Sequence, residues 1–277
     1  MKDRPALPLP RVSICLLLVV GCAQPQAWNL PSPDPLPGAY RTVRGPLVIH
    51  SDFPLPAEDR LIGDLAARRD EVCRQLQLPA SDAPIDVYLF ATAATFDSFV
   101  RVHFPTLPRR RAYFIESDTQ LAVYAQWGDR VAVDLRHETT HAYLHAIVPN
   151  VPLWLDEGLA KYFEGPPEAL GIVPDYAVWL RERLVDAAWR PDLARLEALE
   201  PKAGMNFEGY AESWAWTHLL LCGRAENRDL LCRYLADLRS DRTAAPVSAR
   251  LQRADGDPTW TFLRHAQELV AASSPHR

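Results

Sequence analysis

Apolar residues recur along this chain with two different periods, and the change from one to the other falls near residue 130. Residues 46–50 (Pro-Leu-Val-Ile-His), 85–90 (Ile-Asp-Val-Tyr-Leu-Phe), 112–116 and 121–127 are short runs with β-branched and aromatic character. They are bounded by turn-forming residues, which predicts four strands. Residues 57–78 carry Leu61, Leu65, Val72 and Leu76 at helical spacing among the polar Arg68, Arg69, Asp70 and Glu71, which predicts an amphipathic helix. Thr92 is placed to cap a second helix running to about His103, which Pro105 and Pro108 end. Beyond residue 130 the helical period takes over, over 174–189, 207–221, 228–238 and 258–269. The expected class is α+β: a small mixed sheet with its helices in 40–128 and a mainly helical part in 129–277, without an internal repeat.

At the junction the pattern changes character. Val131, Ala132, Val133 and Leu135, and then Ala142, Tyr143, Leu144, Ala146, Ile147 and Val148, leave almost no polar face, so this helix is expected to be buried on all sides. Inside it lies His137-Glu138-Thr139-Thr140-His141. Side chains four apart on a helix sit roughly 40° and 6 Å from one another, so His137 and His141 can grip one ion. Glu138 lies one step round, where a glutamate can act as general base toward a water at the ion's open position. A solvated helix with two stray histidines would match the motif by chance in roughly one such chain in a hundred. The apolar flanks oppose that reading, because buried imidazoles and a buried carboxylate need partners, and Zn²⁺ supplies them.

A catalytic zinc needs a third protein ligand and an open position. His145 lies eight residues from His137, roughly 12 Å along the axis, too far for one ion. The metzincin pattern would need Gly at 144 and His at 147, where this chain has Leu144 and Ile147. After Pro149 and Pro152 a new amphipathic segment begins near Leu153, and a carboxylate from it, Glu157, could fold back to the histidines.

His-Glu-x-x-His followed by Pro152-Leu153-Trp154-Leu155-Asp156-Glu157-Gly158-Leu159-Ala160 resembles the gluzincins, the thermolysin-like clan of zinc metallopeptidases, and most closely the bacterial peptidase MA-like families. The resemblance is strong over about 130–165. Residues 210–216 (Tyr-Ala-Glu-Ser-Trp-Ala-Trp) resemble a further family segment more weakly. The resemblance implies a zincin-like fold, Glu157 as third ligand, and Tyr210 as donor to the developing oxyanion, with His218 the substitute. It also implies an edge strand beside the cleft that receives substrate backbone, for which the segment around Leu121–Tyr124 is the candidate. Two features depart from the family. The loop between His141 and Glu157 is short, and Lys161 stands where these enzymes carry an acidic residue four after the glutamate ligand. Glu164 or Asp134 would then have to orient the imidazole. Ala203-Gly204-Met205-Asn206 lacks the glutamate of the aminopeptidase loop it superficially matches and follows the zinc motif rather than preceding it.

Composition changes the picture mainly at the amino terminus. Lys2, Arg4 and Arg11 precede a short apolar run from Ile14 to Val20, ending Val19-Val20-Gly21-Cys22. This resembles a lipoprotein signal, which implies a leader over 1–21, lipidation of Cys22 and anchoring at the bacterial cell envelope on the periplasmic side. Pro25, Pro31, Pro33, Pro35 and Pro37 make 22–39 an extended tether. The formal net charge is −5, and −7 once Lys2, Asp3, Arg4 and Arg11 leave with the leader, which gives no footprint for nucleic acid. Arg109-Arg110-Arg111 is either a substrate or phosphate patch or, as three charges in a loop more often are, a solvated turn. Cys222 and Cys232 could pair in an exported protein, or they and Cys73 could be buried free thiols. The function expected is hydrolysis of peptide or protein substrates. The alternative is a peptidase-fold lipoprotein that binds peptides or cell-wall components without cutting them.

Overall fold

In the computed structural model, residues 36–56, 59–200, 204–240 and 244–273 are described. The expected leader, Cys22, the tether up to residue 35 and Ala57 lie outside them. The elements run β1 (Tyr40–Arg44), β2 (Leu47–Ser51), α1 (Arg60–Leu76), β3 (Ile85–Phe90), α2 (Ala93–His103), β4 (Ala112–Ser117), β5 (Gln120–Gln126), α3 (Val131–His145) and α4 (Leu153–Phe163). A 3-10 turn at Pro167–Ala169 leads on to α5 (Pro174–Val185), α6 (Leu193–Glu197), α7 (Phe207–Cys222), α8 (Ala225–Arg239), α9 (Val247–Asp255) and α10 (Pro258–Ala272). The chain is a mixed α+β structure, a five-stranded sheet followed by helices. Among the described residues no helix is long and apolar enough to cross a membrane.

The sheet order is β1-β2-β3-β5-β4. The β2, β3 and β5 strands are parallel, and β1 and β4 pair antiparallel at the two edges. Because strand side chains alternate, Ile85, Val87 and Leu89 of β3 and Val123 and Ala125 of β5 share one face. They bury it against Ile62 and Leu65 of α1 and Leu135, Ala142 and Tyr143 of α3. Phe90, Ala122 and Tyr124 face the other way and pack on Phe96, Phe99 and Val100 of α2. Thr92 caps α2 as expected, its hydroxyl accepting from the Thr95 N–H. The remaining helices gather in a separate, larger core around Trp154, Phe163, Trp214, Trp216 and Phe262.

One expectation fails here. The strand offered to substrate was to be the segment around Leu121–Tyr124, yet β5 is paired on both sides, by β3 and by β4. The chain passes β5 back inside the hairpin, so β4 is the free edge beside α3. The helix expected over 174–189 also stops at Val185, where Asp186 adopts an extended conformation.

The helices that carry the motif are held from both sides. α3 buries every residue from Leu135 to Leu144. Its polar members are satisfied locally: the Thr139 and Thr140 hydroxyls donate to the carbonyls four residues back, and Arg136 donates to Asp64 and to the Glu164 carbonyl. α4 packs on α3 through one face and on α7 through the other. Gly158 makes the second approach possible. A Cβ there would stand 2.2 Å from Thr217 Oγ1 and 2.8 Å from the Ser213 carbonyl oxygen.

Candidate metal centre

The short connection between α3 and α4, with Pro152 at the start of α4, returns Glu157 to the face of α3 that carries the histidines. His137 Nε2 and His141 Nε2 lie 3.3 Å apart, and Glu157 Oε2 is 3.5 Å from the first and 3.8 Å from the second. All three residues are at most 8 % exposed. Donors held about 2.0–2.2 Å from one ion at tetrahedral angles stand roughly 3.3–3.6 Å apart, so the spacing suits a single cation.

The protonation pattern sharpens this. His137 Nδ1 faces Glu164 Oε2 at 3.1 Å, and His141 Nδ1 faces Asp156 Oδ1 at 2.9 Å. Carboxylates only accept, so each imidazole carries a proton on Nδ1 and, when neutral, turns an Nε2 lone pair inward. Glu157 Oε2 has no hydrogen-bond partner although it is buried. With both rings neutral, three electron-rich atoms converge on one point, an arrangement that a cation, or failing one a proton on the rings, relieves. The donor set, two imidazoles and a carboxylate, fits a borderline divalent ion.

Burial works against a charge on His137 and His141. On His137 the nearby Glu157 and Glu164 outweigh it. On His141 Asp156 and Glu157 do, lifting that ring to about 9. Burial alone would raise the Glu157 carboxyl, but His137 and His141 bring it below its ordinary value. These shifts report a strongly negative pocket around the two rings.

Lys161 does not disturb the site. Its Nζ donates to Glu164 Oε2 at 2.8 Å, and that same oxygen holds His137, so Glu164 takes the orienting role offered to it from the sequence. Asp134, the other candidate, is spent on a two-point pair with Arg111. The other imidazole is braced by a chain that sequence reasoning missed. Glu116 on β4 contacts His145 at 2.6 Å, His145 contacts Asp156 at 3.2 Å, and Asp156 contacts His141. His145 and Asp156 could together with His141 hold a metal of their own, but His145 Nε2 is already hydrogen-bonded to Asp156 Oδ2 at 3.2 Å. The available signal was that His145 sits one turn after His141 and Asp156 immediately before Glu157.

Glu138, 8 % exposed, accepts from the Phe114 backbone N–H at 2.7 Å, which fixes its carboxylate between the edge strand and the triad. Tyr210 on α7 brings its hydroxyl to 3.4 Å from Glu157 Oε1. Burial, and then Glu157, raise its ionisation above the ordinary value, so it stays a protonated donor. Arg110 donates to the same hydroxyl at 2.8 Å while remaining exposed, as Arg109 and Arg111 are, and Arg109 pairs with Asp97. His218 is away from the triad, 2.9 Å from His265 and 3.2 Å from the Leu170 carbonyl, and is not the substitute donor. Cys73, Cys222 and Cys232 are free thiols; Cys222 is exposed and lies by the Tyr162 hydroxyl.

The cleft over these groups has two lobes, about 360 and 750 Å³, that share Arg110, Glu138, Glu157 and Tyr210 as their dividing wall. No protein-family model matches the chain, and no curated protein matches it.

Proposed function

We propose that the protein is a zinc-dependent peptidase of zincin-like fold and gluzincin type. The observation that carries the reading is the convergence of His137 Nε2, His141 Nε2 and Glu157 Oε2 at 3.3–3.8 Å, each imidazole backed by a carboxylate. Those three side chains would hold Zn²⁺. When bound, the ion supplies Lewis acidity, which acidifies a water and polarises a carbonyl.

The chain's own groups do the rest. Glu138 takes the proton from the attacking water and delivers it to the leaving nitrogen, and its bond from Phe114 N–H keeps it in place for both transfers. Tyr210, steadied by Arg110, donates where negative charge develops on the carbonyl oxygen. The free edge of β4 suits an extended peptide that adds to the sheet, which puts its backbone alongside Glu138. Export by the 1–21 leader and anchoring through Cys22 would place this activity at the envelope surface.

Lys161, which departs from the family pattern, donates to the Glu164 oxygen that faces His137, an arrangement that supports catalysis over binding alone. The test is incubation with a mixed peptide library. Wild type cleaves, a chelator stops it, and Glu138→Gln retains metal while losing about 10²–10⁴-fold in rate. Undiminished turnover by Glu138→Gln would remove the general base.

A further inference from the structure

We propose that the cleft sorts its peptides by charge: it takes a carboxylate on one side of the bond presented to Glu138 and an apolar side chain on the other. The proposal rests on the peptidase reading and adds the substrate class. Arg110 and Tyr210 reach toward each other from the loop before β4 and from α7, joined by a 2.8 Å hydrogen bond, and close a wall across the cleft beside Glu138 and Glu157. The two lobes on either side differ in kind.

The smaller lobe, about 360 Å³, is lined by five cationic side chains: Arg109, Arg110, Arg111, Arg130 and Lys161. Three of these are spent on Asp97, Asp134 and Glu164. The Arg130 guanidinium has no partner among the described residues. Arg110 donates only to a neutral phenol, so most of its N–H groups remain open. Of the lobe's acidic side chains, Asp134 is paired with Arg111 and Glu164 with His137 and Lys161, while Glu138 accepts from the Phe114 N–H and Glu157 faces the two imidazoles. Arg110 and Arg130 are thus the lobe's two guanidiniums without an ion-paired carboxylate, although Glu157 and Glu138 lie near enough to act on Arg110 through space. Two open guanidiniums beside a peptide site match a carboxylate, whether an acidic side chain or the peptide's own C-terminus.

The larger lobe, about 750 Å³, is walled by Phe104, Leu107, Phe114, Ile115, Leu153 and Met205. Among the described residues Arg110 is its one arginine or lysine, and its Glu116 and Asp156 are tied to His145, so an aliphatic or aromatic side chain is the group it desolvates at least cost. Because the dividing wall is fixed, the two preferences come with a direction along the peptide.

Binding to full-length Glu138→Gln protein loaded with zinc separates this from catalysis. Fluorescence anisotropy would compare four labelled peptides: apolar–Glu with an amidated end, apolar–neutral with a free carboxylate, apolar–neutral amidated, and the reversed Glu–apolar. At least one carboxylate peptide should bind about 10-fold or more tighter than the neutral amide. That ratio should shrink as salt rises, fall toward one when Arg110→Met and Arg130→Met are combined, and collapse for the reversed sequence. Which of the two carboxylate peptides binds tells side chain from C-terminus. Equal binding of all four, or a ratio that survives both substitutions, overturns the proposal. Selective binding with no cleavage by wild type would sink the peptidase reading and leave the sorting intact; cleavage blind to charge would do the reverse.

Discussion

Gly158→Ala is a single methyl group placed next to a metal ligand. The new Cβ would meet Thr217 Oγ1 at 2.2 Å and the Ser213 carbonyl oxygen at 2.8 Å. The hydroxyl can rotate away, since it has no hydrogen-bond partner to lose. The carbonyl belongs to the α7 backbone and cannot. Restoring an ordinary contact of about 3.4 Å needs α4 and α7 to part by roughly 0.6 Å, and close-packed interiors resist such shifts. Overpacking of this kind costs about 1–3 kcal/mol. The better helix propensity of Ala returns at most about 1 kcal/mol. With that return in full, the net loss is up to about 2 kcal/mol, or a Tm lower by up to roughly 8 °C for a domain of this size. Glu157 precedes the glycine and moves with it, so zinc affinity should fall about 10-fold or more, as misplaced ligand geometry generally costs. Calorimetry with and without chelator, and competition with a zinc-chelating dye, read the two effects. Gly63→Ala is the control: its Cβ meets nothing within 4 Å, so stability should rise slightly with zinc affinity unchanged. A Gly158→Ala protein as stable and as tight as wild type would refute the idea that the α4–α7 approach sets the position of Glu157.

Three further outcomes are expected. Glu157→Ala should lose zinc at nanomolar free metal, and native mass spectrometry would count the ions per chain. Glu164→Gln should bind zinc about 10–100-fold more weakly with the fold intact, measured by dye competition; an unchanged affinity would mean the His137 ring needs no such brace. The third concerns pH. Burial, then His265, lower His218 from 6.5 to about 4, while the Leu170 carbonyl works weakly the other way. Glu268 and Arg264 bear on His265 itself. The unfolded chain then takes up a proton at His218 that the folded one refuses, so stability falls as pH drops from about 6.5 toward 4, by up to about 3 kcal/mol. Chemical denaturation at pH 7 and 4.5 should show that slope, and His218→Gln should flatten it.

The sequence carried the site further than the sheet around it. A four-residue helical step and an apolar flank were enough to place His137, Glu138 and His141 together, because those links are local, while Glu157 across the proline-marked loop was singled out with the help of the family resemblance. β1 escaped notice because Tyr40-Arg41-Thr42-Val43-Arg44 is mostly exposed and alternates in nothing but pairing. The edge strand was misassigned because nothing in either strand's composition says that β5 folds back between β3 and β4. Arg110 was hidden in a run of three like charges, and its partner Tyr210 lies 100 residues on. The brace through Glu116, His145 and Asp156 spans a strand and two helices, and so it appears only once these are packed. α6 and α9 were not anticipated: α6 has five residues, and in α9 only Val247 and Leu251 are buried.

The most direct measurement is an anomalous difference map at the zinc edge from crystals of the metal-loaded protein. One strong peak is predicted about 2.0–2.2 Å from His137 Nε2, His141 Nε2 and a Glu157 carboxylate oxygen. A peak instead among His141, His145 and Asp156, or none near the His137–His141 pair, would contradict the assignment on which the proposed chemistry depends.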